Sequence, residues 1–260
     1  MRIVVLGSGS GGNCTLVETG RTCLLIDAGF GTRSLNRRLS GAGVNPTSID
    51  AVVVTHGHRD HVAGVKSVLK KHRAVLYVNE GTRQETSLLD RVDRCEIFQA
   101  NQPFQIGDVS IEAFDVPHDA AEPVGFCIRS DGIKGVLATD VGQVTPELVR
   151  QTRQCQWLVL EANHDEDLLK LGPYPWVLKR RVLGNRGHLS NAALADFVLE
   201  EFDGSASHLF LAHLSRQNNH PELALETVRK ALAARPGPRN GHNTQVLLTD
   251  QFKPSIVVNV

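Results

Sequence analysis

Residues 52–64, VVVTHGHRDHVAG, place three histidines and an aspartate in six positions behind an apolar run. In an extended backbone His56 and His58, two residues apart, point to the same side. Asp60 and His61 arrive as the chain turns into the next helix, so they are aimed differently. The arrangement suits two cations side by side, His56 and His58 on one, Asp60 and His61 on the other. Imidazole favours borderline ions such as Zn²⁺, and a carboxylate compensates charge. Left unpaired in a buried loop, these groups would cost several kcal/mol.

Four donors cannot complete two coordination shells. Three strand ends offer the missing groups: His118 in FDVPHDAAEPVGF, Asp140 in GVLATDVG and His213 in HLFLAHLS. Each alone reads equally well as a hydrogen-bonded histidine or a capping aspartate. Together they supply what the cluster lacks.

The elements that must position these groups are short. Apolar runs at 3–6, 15–18, 22–26, 51–54, 74–78, 135–139, 157–160, 208–212 and 245–249 read as strands, and 108–116 alternates in part. Helices are predicted over 62–71, after the Thr145 cap with Pro146 and Glu147 in the first turn, after Ser190, and from Pro221 to just before RPGP at 235–238. Leu194, Phe197 and Val198 form the inner face of the helix that Ser190 opens. Some strand pairs lie too close for an intervening helix, so layered sheets with helices outside are expected in one compact domain over 1–260.

The chain has 260 residues, 41% of them hydrophobic, and a formal net charge of zero. Overall charge therefore does not hold nucleic acid, although a local basic groove remains open. Five scattered cysteines without a C-x-x-C predict free thiols in a reducing compartment. No apolar run has membrane length and the N-terminus does not read as a signal peptide, so a soluble, cytoplasmic protein is expected, with no membrane association and no obligate protein partner.

The H-x-H-x-D-H run with a later His, Asp and His resembles the metallo-β-lactamase-fold hydrolases. GSGSGGNCTLVE at 7–18, LLIDAG at 24–29, LEANHD at 160–165, GNRGHLSNAALA at 184–195 and AHLSRQNNHPELA at 212–224 are similar to the YycJ/WalJ branch of exonucleases. The resemblance implies an α/β fold, an αββα sandwich of two mixed β-sheets with helices on both outer faces. It implies one metal on His56, His58 and His118, a second on Asp60, His61 and His213, and Asp140 bridging both. Asp27 would accept a hydrogen bond from a ligand imidazole, or serve only as a turn residue. Zn²⁺ suits the site by affinity, and a carboxylate bridge also accepts Mn²⁺ or Fe²⁺. Between Asp140 and His213 there is no room for the large inserted domain of RNA-processing relatives.

Two such ions would share an activated water, which gives hydrolysis as the reaction class and leaves the substrate open. His188, in RGHLSN at a helix start, is expected to clamp phosphate or act as general acid, as a histidine in a similar context does in nuclease relatives. Glu161 or His164 would tune it; with Asp60 these form the candidate catalytic set. Ser190 and His188 also read as a plain helix start. Ser8, Ser10 and Asn13 form a Gly-rich turn that lacks the lysine and spacing of a Walker motif. With Arg186, Ser190 and Arg216 they are the candidate substrate contacts. The runs Arg33/Arg37/Arg38, Lys70/Lys71/Arg73 and Lys179/Arg180/Arg181/Arg186 read as solvated faces or, jointly, as a phosphate-tracking groove. Tyr174 and Trp176 could stack bases or anchor a loop. The leading expectation is a two-metal phosphodiesterase, a 5′-to-3′ exonuclease on single-stranded or 5′-ended DNA. The alternatives are a thioester or lactone hydrolase with a narrow apolar pocket, and a metal-bearing regulatory protein with little turnover.

Overall fold

The computed structural model describes residues 1–44, 49–235 and 244–260. Fourteen strands among these are β1 (Arg2–Gly7), β2 (Cys14–Glu18), β3 (Cys23–Ile26), β4 (Ala51–Val53), β5 (Val75–Val78), β6 (Cys95–Ile97), β7 (Phe104–Ile106), β8 (Val109–Asp115), β9 (Val124–Ser130), β10 (Ile133–Ala138), β11 (Trp157–Glu161), β12 (His208–Ala212), β13 (Gln245–Leu248) and β14 (Val258–Asn259). They form two sheets of seven strands each. The chain divides into two compact units, one of Met1–Asp115, Ala120–Ile133 and Asp250–Val260, the other of Val116–Asp119 and Lys134–Thr249.

In the first unit one whole sheet runs β14-β1-β2-β3-β4-β5-β6. Its β14, β1, β2 and β3 are antiparallel neighbours, and β3 to β6 are parallel. Leu6, Leu16, Leu25, Leu35, Leu39, Val52 and Leu76 pack into its core. The same unit holds the antiparallel strands β7, β8 and β9 of the second sheet. The helix predicted over 62–71 is two, Arg59–Val62 and Val65–His72. Gly64 interrupts it because its N–H donates to the Ala28 carbonyl at 2.7 Å, and a side chain there would strike the backbone oxygens of Ala28 and Phe30.

In the second unit β10, β11, β12 and β13 are parallel. The register pairs Ala138 with Leu160 and Leu160 with Leu211, so the three strands end together. Asp140, Glu161 and His213 thereby share one sheet edge, the carboxyl edge at which parallel sheets bind ligands. The helices after Thr145 and Ser190 form as predicted, with both side chains accepting from helix N–H groups. The helix Pro221–Ala234 ends before Arg235, and residues 236–238 of the RPGP stop lie outside the described residues.

Sequence reading passed over β6, β7, β9 and β14. Gly125 and Arg129 interrupt the apolar pattern of β9, and the other three have two or three residues each. It also passed over the helices Thr32–Gly41, Glu80–Glu85, Glu166–Leu171 and Trp176–Val182. All five cysteines are free, and four are buried. No helix among the described residues is long and apolar enough to cross a membrane.

Candidate metal centre

The first unit gathers His56, His58, Asp60 and His61 at the end of β4. His56 and His61 are buried, with ring centroids 4.0 Å apart. His56 Nε2 lies 3.0 Å from His58 Nδ1. Two imidazole nitrogens on one tetrahedral ion at about 2.0–2.1 Å sit about 3.3 Å apart, so this pair has the spacing of a shared cation. Beneath them Asp27 accepts from the Thr55 N–H at 2.8 Å and lies 2.7 Å from His61 Nδ1. The Thr55 hydroxyl touches the same carboxylate and both His56 and His61.

Three loops converge on this cluster through backbone bonds. Asn13 N–H donates to Asp60 O at 2.8 Å, Ala28 N–H to His61 O at 2.8 Å, and Gly29 N–H to Asn13 O at 2.9 Å. Gly29 is required by close approach, since a β-carbon would collide with the Asp60 carbonyl. The Asn13 side chain reaches Asp60 Oδ2 at 3.2 Å and His61 Nε2 at 2.9 Å. Of the expected substrate contacts in the Gly-rich turn, Asn13 therefore meets the cluster directly. Ser8 bonds to Asn13, and Ser10 is exposed.

The second unit gathers Asp140, Glu161, His188 and His213, each offering a ligand atom within 4.8 Å of the others. His118 Nε2 is 3.8 Å from Asp140 Oδ1. Glu161 is fully buried and central. It accepts from Val141 N–H at 2.7 Å, and it lies 2.7 Å from His188 Nδ1 and 3.0 Å from His213 Nδ1. Burial alone would raise its pKa, but the His188 charge and the bonds from His188 and His213 bring it down to about 2. Burial pushes His188 down, and Glu161 with Asp140 more than reverses this, so its pKa stands above the ordinary imidazole value. His118 is held below that value by burial, which keeps it neutral and able to donate a lone pair.

Three histidines share one device. His61 Nδ1 is bound to Asp27, His118 Nδ1 lies 3.0 Å from Gly187 O, and His213 Nδ1 is bound to Glu161. With Nδ1 occupied, Nε2 is the nitrogen a cation would take, in His61 by displacing the Asn13 amide that meets it at 2.9 Å. Metal-ligating histidines are characteristically fixed in this way by a carboxylate or carbonyl on the far nitrogen. The donor chemistry therefore fits divalent metal in both units. Asp27, Asp140 and His213 also share left-handed backbone, with φ of 59°, 58° and 56°. Such conformations cost of order 1–3 kcal/mol each and cluster at functional sites.

Several expectations change. Glu161 contacts His188, whereas no hydrogen bond reaches either ring nitrogen of buried His164 among the described residues. The Ser190 hydroxyl is committed to the Ala193 N–H, 3.1 Å away, as a helix cap. Arg186 and Arg216 are exposed, and Arg186 Nε donates to His118 O at 2.9 Å. The basic runs are partly spent on structure. Arg38 is buried, donating to the carbonyls of Leu6 and Gln251 over the Phe30 ring, because it fills a polar gap beneath the first strand. Lys179 is buried and donates to Lys170 O at 2.7 Å, and Arg181 pairs with Asp119.

Sequence reading missed a polar network. Asn219 donates to the carbonyls of Ala162 and Asn163 at 2.9 and 3.0 Å and exchanges bonds with Asn191. Asn163 in turn donates to His213 O at 2.8 Å. These asparagines sit in the LEANHD, GHLSN and SRQNNH segments, and their shared amide-rich composition was the only signal.

The family description "Beta-lactamase superfamily domain" matches residues 22–213. The chain is 36% identical over 234 residues to exodeoxyribonuclease WalJ of Streptococcus pneumoniae strain D39, covering 88% of this chain and 87% of the relative. It is 35% identical over 235 residues to exodeoxyribonuclease YycJ of Bacillus anthracis, covering 88% of each. The metallo-β-lactamase-fold protein YhfI of Bacillus subtilis superposes with a TM-score of 0.73 at 18% identity over 99% of both chains. That likeness shows the fold: two mixed sheets with helices, the expected αββα sandwich.

Proposed function

The chain belongs to the β-lactamase superfamily, and from that premise we propose that it is a metal-dependent phosphodiesterase that degrades DNA from 5′ ends in the cytoplasm. The whole of 1–260 acts as one hydrolase domain. One divalent cation would be held by His56, His58 and His118 and another by Asp60, His61 and His213, with Asp140 available to both. The observation that carries the metal assignment is the fixing of His61, His118 and His213 at Nδ1. The choice of DNA rests on relatives named exodeoxyribonucleases that match over most of their length.

When bound, the ions supply Lewis acidity, lowering the pKa of water and offsetting charge at the reacting phosphate. The residues of the chain do the rest. Asp27 and Glu161 hold the tautomers of His61 and His213. Glu161 keeps a proton on His188, whose Nε2 delivers it to the departing oxygen as general acid. The left-handed turns at Asp140 and His213 fix donors at the sheet edge before substrate arrives. Zn²⁺ is the expected ion, with Mn²⁺ or Fe²⁺ as occupants that also support turnover.

Digestion of 5′- and 3′-labelled single strands, with Zn²⁺ and Mn²⁺ tested separately, tests the reading. Mononucleotide release from the 5′ label first, abolished by chelator, is expected. Intact DNA alongside cleavage of thioesters would replace it with the small-molecule hydrolase.

A further inference from the structure

The segment 168–183 carries five of the nine exposed large hydrophobic side chains among the described residues: Leu168, Leu171, Trp176, Val177 and Leu183. Trp176 is 60% exposed and Val177 72%. Exposed apolar side chains grouped in one segment point to a binding surface more than ones scattered singly do. A loop anchor would bury its indole, so that role is ruled out for Trp176.

Trp176 opens the helix Trp176–Val182, directly after Pro175. The Lys179 ammonium lies 6.0 Å from the ring centroid, and its own position is fixed by the Lys170 carbonyl. The ring is thus held from the helix side and presented outward. Arg180 follows four residues on, one turn along the same face. It is exposed, with no ion pair or side-chain hydrogen bond among the described residues. Of the acidic residues in these segments, Glu166 pairs with Lys170, Asp165 caps the helix Glu166–Leu171 and Asp119 pairs with Arg181, whereas Asp167 is exposed. At the far end of the helix the Val182 carbonyl accepts from His188 N–H at 3.0 Å. Six residue steps at 1.5 Å put Trp176 about 9 Å along the axis from that junction.

An outward indole with an unpaired guanidinium one turn away matches a stacked base followed by its phosphate. We infer that Trp176 is a stacking platform for an unpaired base of a single-stranded nucleic acid, with Arg180 meeting the adjacent phosphate. This rests on the phosphodiesterase reading and adds to it the form of the substrate: a single strand led along the helix towards His188.

The test is fluorescence anisotropy of a labelled, hydrolysis-resistant phosphorothioate oligothymidylate with the metal-loaded protein, so that binding is read without turnover. Stacking predicts that Trp176→Ala weakens binding by about 5- to 150-fold, the equivalent of about 1–3 kcal/mol per base. Trp176→Phe should recover most of the loss, and Arg180→Ala should flatten the salt dependence. A blunt-ended duplex should show no dependence on residue 176, since its bases are already stacked. Thermal midpoints matching the wild type show that the variants fold. Equal binding by wild type and Trp176→Ala, or no binding by either, overturns the inference. So does concentration-dependent self-association that Trp176→Ala abolishes, which assigns the patch to a second copy. Wild-type protein that cleaves DNA while Trp176→Ala binds normally removes this inference alone. Wild-type protein that binds a strand through Trp176 and cleaves no DNA removes the functional reading instead.

Discussion

Replacing His188 by alanine separates proton donation from metal binding. His188 shares the Glu161 carboxylate with His213, at 2.7 and 3.0 Å, yet only His213 belongs to the proposed ligand set. A general acid contributes about 10²–10⁴-fold, or about 3–5 kcal/mol of barrier. That loss should fall on kcat for DNA, whose leaving oxygen needs a proton. It should nearly vanish for a p-nitrophenyl phosphodiester, whose phenolate departs unaided at neutral pH. Metal content should stay at the wild-type level, because no proposed ligand is removed. The pH profile gives an independent reading. Glu161 and Asp140 raise the His188 pKa against the pull of burial, so an alkaline limb of activity set by loss of the His188 proton should depend on the Glu161 charge. In Glu161→Gln that alkaline limb should move to lower pH. Equal losses on both substrates, or loss of a metal from His188→Ala, would refute the acid role and make His188 a ligand.

Other consequences follow from the same contacts. Asp27→Asn frees the far nitrogen of His61 and should weaken metal binding about 10- to 100-fold, measured by competition with a chelating dye. Gly29→Ala drives a methyl group into the Asp60 carbonyl and should lower stability by at least about 1–3 kcal/mol, read by denaturant unfolding, with metal loading impaired. Glu161 ionises at about 2 in the fold against an ordinary 4.5, so its contribution is present above pH 4.5 and is lost as pH falls towards 2. On the order of 3 kcal/mol should disappear across that window in metal-stripped protein, and Glu161→Gln should lack this component of acid unfolding.

The candidate donors were legible because each follows an apolar run, and an apolar run that ends in an ionisable group announces a sheet edge. His118, Asp140 and His213 were read this way, whereas Asp27, one residue past β3, was named only through the family resemblance. What lies behind them was less legible. Glu161 reads as the last residue of a buried strand, and only the parallel register of β11 with β12 sets its carboxylate against His213. The Asn163–Asn191–Asn219 network draws on three distant segments, so no local pattern reveals it. The charge runs misled in part because a long basic side chain can be consumed by carbonyls, as Arg38 and Lys179 are, and sequence records the charge without its partner. The break at Gly64 depends on an approach of the Ala28 and Phe30 backbone that helical periodicity cannot anticipate.

Elemental analysis of protein purified without added metal, in parallel with Asp140→Asn, tests the central claim most directly. The account predicts two divalent ions per wild-type chain, mainly zinc, with loss of metal and of DNA cleavage in the variant. Wild-type protein that carries no bound metal and cleaves DNA in the presence of chelator would contradict it.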